Sequence, residues 1–420
     1  MTRLFLLLAA LPLGAADPAQ VALGARAQAD YERIERALHP TLSEAAACVQ
    51  SQAALAVVAA PADLPVVYFR RGYCALAGAW ISPSEAGFVD AATAFERSLA
   101  AWEQKPRRRR DPVEPAPAVV SALAAIARLA GGASDDQLPS LDRRLAEARH
   151  SGGCAASILP ETMCRQTLAA AAAWQGWIAV RQRRYALAAS LFEPAPAPAW
   201  LAWAEGRMAY DGRRYADAVT AFRRAVDGWT AEERQARRRI PDSLTPPPAL
   251  AAALVDLSEA HLAAGEPHAA LATIEPALRR DPRRAWSLFL RGRAREEAGD
   301  PVAAVSDFNL AARAAFAAGD DDRSAGEARF YRGVWSFRRG DVARAEQEFA
   351  AALNGGLSAP LAAEATAWRA LAAVSTGACG ASRDLLETAA AAASPLFPRR
   401  EARTALAACP APPARISEVR

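Results

Sequence analysis

One pattern recurs in register in three stretches of this 420-residue chain and constrains its fold more than any other feature. A small residue (Ser258, Gly292, Gly333) is followed seven residues later by Gly (Gly265, Gly299, Gly340), and five later again by Ala (Ala270, Ala304, Ala345). Four residues on stands a bulky apolar side chain (Ile274, Phe308, Phe349), and three after that another Ala (Ala277, Ala311, Ala352). A helix–turn–helix repeat requires small residues where two helices cross, a Gly to end the first helix and a large side chain to fill the gap. The chain is therefore expected to stack helix pairs.

Gly265 and Gly299 lie 34 residues apart; Gly299 and Gly340 lie 41 apart, which is 34 plus the seven-residue insert Gly319 to Ala325. That spacing resembles the tetratricopeptide repeat, whose G-x2-Y…A-x3-F…P skeleton recurs about every 34 residues. Asp281-Pro282 stands where that family closes its second helix. Two earlier units keep the offsets, as Gly206, Ala218, Phe222, Ala225 and as Gly176, Ala188, Phe192, Ala195; a looser one ends in Ala91, Phe95 and Ser98. Arg295 and Ser336 depart from the pattern at the position where the family usually has Tyr. The resemblance implies an all-α, right-handed superhelical solenoid of antiparallel helix pairs. Residue content agrees: Ala, Leu, Arg and Glu favour helix, and no alternating strand-like run of useful length occurs. A stack of repeats also lets a chain of this length do without one large core, because each repeat contacts only its neighbours.

The N-terminus has the form of a leader: Met1-Thr2-Arg3, the apolar run Leu4 to Leu13, then Gly14-Ala15-Ala16 before Asp17. Cleavage at Ala16/Asp17 would release an exported chain, periplasmic or extracellular, with no integral membrane span. The six cysteines fit that compartment. Cys48 and Cys74 are symmetric about Pro61, Cys154 and Cys164 straddle a point beside Pro160, and Cys379 and Cys409 one beside Pro395. Residues equidistant from a hairpin turn lie side by side, which predicts the bridges Cys48–Cys74, Cys154–Cys164 and Cys379–Cys409. Six cysteines allow fifteen pairings, so symmetry is the only guide.

Proline and arginine clusters suggest the divisions. The expected order is a leader over 1–16, a degenerate N-terminal repeat block over 17–104, a basic Pro-rich linker over 105–117 and a central helical block over 118–230. A Pro/Arg-rich linker over 231–248 follows, then three clear repeats over 249–359, a degenerate unit with a capping helix over 360–410 and a tail over 411–420. The arginine runs do not imply nucleic acid: the formal charge is +4, and 4 − 1 = +3 once Arg3 is removed, a weak field for this length.

Chemistry-bearing motifs are absent from the sequence. There is no H-E-x-x-H, G-x-S-x-G or G-x-x-x-x-G-K, and Lys105 is the only lysine. The four histidines are scattered, and Asp320-Asp321-Asp322 lacks the spacing of a calcium loop. No catalytic residue, cofactor site or metal site is expected. The tetratricopeptide resemblance points instead to the inner face, lined by the first helix of each pair at three positions before, and one and four after, the small crossing residue. Those positions hold Trp203, Arg207 and Tyr210; Phe289, Arg293 and Glu296; Phe330, Val334 and Phe337. Trp177 takes the same face in the Gly176 unit, and Trp200 and Trp286 sit one turn earlier. Aromatics interleaved with Arg suit a protein or peptide partner. The Lys and Asn carboxylate clamp of chaperone-tail-binding members is missing. The expectation is a non-enzymatic scaffold outside the cytoplasm, in cell-envelope complex assembly, with Arg207 and Arg293 binding a guest. Two alternatives stay open at this point: a glycan or cell-wall binder using exposed Trp rings, and an enzyme with an unrecognised site.

Overall fold

The computed structural model of the chain describes residues 17–36, 40–105, 116–151, 161–195, 197–236, 244–247, 249–317 and 322–409. These residues form nineteen helices and no strand. Two compact units are distinguished, residues 1–204 with 228–248 and residues 205–227 with 249–420. The first contains α1 (Pro18–Arg36), α2 (Leu42–Val58), α3 (Leu64–Ile81), α4 (Glu85–Gln104), α5 (Pro117–Ala130), α6 (Leu138–His150), α7 (Glu161–Arg181) and α8 (Tyr185–Phe192). Next along the chain are α9 (Pro198–Asp211) and α10 (Tyr215–Ala236). The second unit continues with α11 (Leu250–Ala263), α12 (Pro267–Arg280), α13 (Ala285–Glu297), α14 (Pro301–Ala317), α15 (Asp322–Arg338) and α16 (Val342–Asn354). It ends with α17 (Ala359–Ser375), α18 (Gly380–Ala392) and α19 (Arg399–Ala408).

In four of the helix pairs that share the 16-residue offset, one phenylalanine ring lies on one glycine. A Cβ added at Gly176 would stand 2.7 Å from Phe192, at Gly206 2.5 Å from Phe222, at Gly292 2.6 Å from Phe308 and at Gly333 2.6 Å from Phe349. All four rings are buried. The ring occupies the volume where any other residue would carry its side chain, so the helices approach more closely than two β-carbons would permit. The looser N-terminal unit has the same device: Gly72 would meet Phe95 at 2.7 Å, the two residues lying 23 apart rather than 16 because α3 and α4 are longer helices. In the Ser258 unit the hydroxyl donates to the Ala270 carbonyl at 3.0 Å, so the small side chain that replaces glycine is satisfied inside the crossing. Arg295, which stands where tyrosine was expected, pairs with the buried Asp307 at 2.8 Å, and Arg291 holds the same carboxylate at 2.7 Å.

The first helix of each repeat ends in one hydrogen-bond motif. After α13, the Gly299 N–H reaches the Glu296 carbonyl at 3.1 Å and the Asp300 N–H the Arg295 carbonyl at 2.8 Å, with Gly299 at φ 91°. This places the seventh residue after the crossing in the left-handed region, where glycine costs least. Gly377 in the α17–α18 turn has φ 86° and follows the crossing residue Ala370 by the same seven residues. The C-terminal pair is thus a further repeat, with Leu386 as its bulky residue. In the two remaining units the position is held by Arg183 (φ 57°) and Arg213 (φ 58°), with the same bond pattern. An L-residue in this region costs about 1–2 kcal/mol. Arg183→Gly is therefore expected to raise stability by about 0.5–1 kcal/mol after the greater chain entropy of glycine is subtracted. Urea melts would show a higher midpoint at unchanged slope, and a lower midpoint would contradict the strain argument.

Two features differ from the sequence expectation. The first six residues of the 231–248 linker continue α10 to Ala236, because Glu232, Glu233 and Gln235 extend the helix before the arginine run. Its far end is a strap packed into the first unit. There the buried indole of Trp174 donates to the Leu244 carbonyl at 2.7 Å and Trp200 to that of Pro246 at 3.3 Å. A buried indole N–H needs such a partner, so these two carbonyls fix the strap.

Cys48 in α2 and Cys74 in α3 are bridged, with Cα atoms 6.0 Å apart, and Cys379 and Cys409 with Cα atoms 5.6 Å apart. Cys154, the leader and the 411–420 tail lie outside the described residues, as do Asp320 and Asp321. No described helix is long and apolar enough to cross a membrane.

Candidate peptide-holding face

In the second unit the leading helices of successive pairs, α11, α13, α15 and α17 with the end of α9, carry a polar network among aromatic rings. Arg207 pairs with Asp256 at 3.2 Å and lies over the Tyr210 ring at 5.4 Å. The Tyr210 hydroxyl donates to Glu259 at 2.7 Å, and the Trp286 indole hydrogen-bonds the same carboxylate. Burial pushes the Glu259 carboxyl above its ordinary range, against the lowering pull of Arg207, and burial followed by the Glu259 charge raises the Tyr210 phenol. Farther along, Arg293 is enclosed and pairs with Glu296 and, at 3.0 Å, with Glu297. Arg338 pairs with Glu296 at 2.6 Å and lies over the Trp368 ring at 5.0 Å.

The chain itself covers this face. Between α18 and α19 the irregular segment Ala393–Pro398 runs against the leading helices, with Leu396 and Phe397 both buried. The Arg293 Nε donates to the Leu396 carbonyl at 3.1 Å, and the Glu364 carboxylate of α17 accepts from the Ser394 N–H at 2.5 Å. Phe397 meets the Trp368 ring edge-on at 5.8 Å. On either side, Arg213 reaches the Ala391 carbonyl at 3.4 Å and Arg338 pairs with Glu401 at 2.6 Å. Here backbone carbonyls are answered by guanidinium, a backbone amide by carboxylate and a phenylalanine ring by an indole, all within the chain.

Burial, opposed by the Ser394 hydrogen bonds and by Arg293 and Arg399, holds the Glu364 carboxyl above its ordinary value. The native unit then retains a proton that the unfolded chain has released, so stability falls as pH rises from the ordinary carboxylate range through the raised one. Glu364→Gln should flatten that part of the stability–pH curve without reversing it. An unchanged slope in thermal melts across this range would show that the carboxyl does not titrate there.

The sequence-derived inner-face residues divide unevenly. Trp203, Tyr210, Phe289, Arg293, Phe330 and Val334 are buried, as is Trp200, whereas Trp177, Arg207, Glu296, Trp286 and Phe337 are half-buried. Phe289 touches Phe308, Phe330 and Tyr331 and fills the core between repeats. Trp200 packs on Phe192, Trp203 and Trp229. Arg293 therefore serves contacts within the chain instead of an open groove. The glycan reading needed exposed indoles; Trp200 and Trp203 are enclosed, and Trp177 lies under the Arg181 guanidinium at 5.2 Å. Sequence reasoning missed Glu364, Arg338, Arg213 and Trp368. All four stand outside the three offsets from the crossing residue, and the partner segment has no repeat signature.

In the first unit a cavity of about 230 Å³ is bordered by Asp142, Arg149 and Gln175, which satisfy one another at 2.6–2.8 Å. Among the described residues no group of three or more His, Cys, Asp or Glu is placed to hold a metal ion.

The repeated glycine–phenylalanine crossing and left-handed turn give the architecture. The fold is a tetratricopeptide-like all-α solenoid. No protein-family description matches the chain, and no curated protein does. Among solved structures it is similar to a tetratricopeptide repeat protein from Parabacteroides merdae, at 10% identity and TM-score 0.40 over 78% of this chain and 99% of that one. It is also similar to yeast Tom70, at 10% identity and TM-score 0.35 over 93% and 95%. The APC/C hetero-tetramer Cut9–Hcn1 gives 11% identity and TM-score 0.25 over 90% and 88%. At this level nothing about binding transfers.

Proposed function

We propose that this chain is a non-enzymatic scaffold that binds a protein segment on its leading-helix face outside the cytoplasm, in the assembly of a cell-envelope complex. The observation that supports the reading is the segment already seated on that face, whose carbonyls meet Arg293 and Arg213, an amide Glu364 and a ring Trp368. Export is supported by the leader pattern and by two bridged cysteine pairs, which persist in oxidising compartments.

A photo-crosslinking amino acid at Phe337, half-buried on this face, is expected to capture a partner chain in the native envelope. The same probe at Val302, 82% exposed on α14, is not. Equal capture from both positions, or from neither, would count against the face. N-terminal sequencing of the native protein should begin at Asp17, and a start at Met1 would sink the location.

A further inference from the structure

We infer that the segment around Ser394-Pro395-Leu396-Phe397-Pro398 is an internal ligand, and that a partner segment of the same chemistry takes its place when the Cys379–Cys409 bridge opens. The inference rests on the scaffold reading above and names what that face accepts: a Leu-Phe pair flanked by prolines, with its backbone free to hydrogen-bond.

Three observations lead there. Two contacts are non-local, joining Leu396 to Arg293 across 103 residues and Ala391, at the end of α18, to Arg213 across 178, so the connection between α18 and α19 sits on the face as a guest would. The recognising groups are polar and lie buried beneath the segment. Were it to leave, Arg293 would lose a carbonyl acceptor and Glu364 an amide donor. A lipid tail supplies neither group; a peptide supplies both. Finally, the segment lies inside the loop closed by Cys379 and Cys409, which are 30 residues apart. Arg383 adds a clasp to the Cys409 carbonyl at 2.6 Å and to that of Leu406 at 3.1 Å.

A tethered ligand has a high effective concentration, which falls when the tether lengthens. The bridge keeps that tether short. Cys379 is the half-exposed partner, at the start of α18, whereas Cys409 is buried. A dithiol reductant would therefore attack the Cys379 sulfur, breaking the S–S bond, forming a mixed disulfide and releasing Cys409 as a thiolate that takes a proton. The second thiol of the reductant then displaces Cys379, also as a thiolate that is protonated. The reductant leaves as its own disulfide, having delivered two electrons, and α19 is held by non-covalent contacts alone.

The test is fluorescence anisotropy with a labelled peptide of residues 391–402 and the mature chain. Oxidised wild type should bind weakly. The Cys379→Ser/Cys409→Ser variant should bind about ten-fold tighter or more, and adding Leu396→Ala/Phe397→Ala to the chain should tighten it again. A peptide with Ser at both the Leu396 and Phe397 positions should not bind. Equal affinity for all three proteins, or equal binding of the Ser-substituted peptide, overturns the proposal. Should the serine variant fail to fold, hydrogen exchange on the wild-type chain decides: mild dithiol treatment should lower protection of residues 393–398 while sparing α11 to α14, and unchanged protection overturns it. Peptide binding that fails while Phe337 still crosslinks a partner would leave the scaffold reading standing and remove only this internal-ligand inference.

Discussion

Phe308→Ala is expected to destabilise the second unit by about 3–5 kcal/mol, the range for emptying a buried aromatic site. The ring is fully enclosed, lies on Gly292 and touches Phe289 at 5.7 Å. The cavity would not collapse readily, because the wall nearest the missing ring is the backbone of α13. The converse change, Gly292→Val, places a β-carbon about 2.6 Å from the ring and should cost roughly 1–3 kcal/mol or more through overpacking. Combining Gly292→Ala with Phe308→Leu should cost less than the sum of the two single changes, since each relieves the other. Denaturant melts with hydrogen exchange would read these values and locate the loss in α13 and α14. A Phe308→Ala penalty under about 1 kcal/mol would mean that the crossing does not hold the pair together.

Arg293→Ala is expected to cost about 3 kcal/mol, as for removal of one partner from a buried ion pair. The side chain is 5% exposed and serves Glu296, Glu297 and the Leu396 carbonyl. Truncation leaves the carbonyl unmatched and removes the cation between two neighbouring carboxylates. Arg293→Lys should recover little, because one ammonium cannot span three acceptors as the guanidinium fork does. Protection of residues 393–398 should fall before that of α13 itself. An Arg293→Ala chain that melts with the wild type, with the segment still protected, would show that the guanidinium does not anchor it.

Much of the repeat was legible in the sequence because its determinants are local. Ser258, Gly292 and Gly333 each meet a bulky residue 16 positions later across a short turn, and that distance is fixed by the helix rise and the turn length. The pairings Cys48–Cys74 and Cys379–Cys409 followed from symmetry about a turn for the same reason. Arg183 and Arg213 hid two of the left-handed turns because arginine carries no sign of that conformation; only the offset of seven from Gly176 and Gly206 marked them.

The inner face was half legible. Offsets from the crossing residue singled out Phe289, Arg293 and Phe330, all of them buried; a helix face carries no mark of whether solvent, the next repeat or a distant segment will cover it. Spacing alone therefore set the helix pairs, the turns and two covalent links. Only the tertiary structure brought Leu396, Ser394 and Phe397 onto Arg293, Glu364 and Trp368 respectively. The Leu396–Arg293 contact joins residues 103 positions apart through burial and charge complementarity, which have no period along the chain.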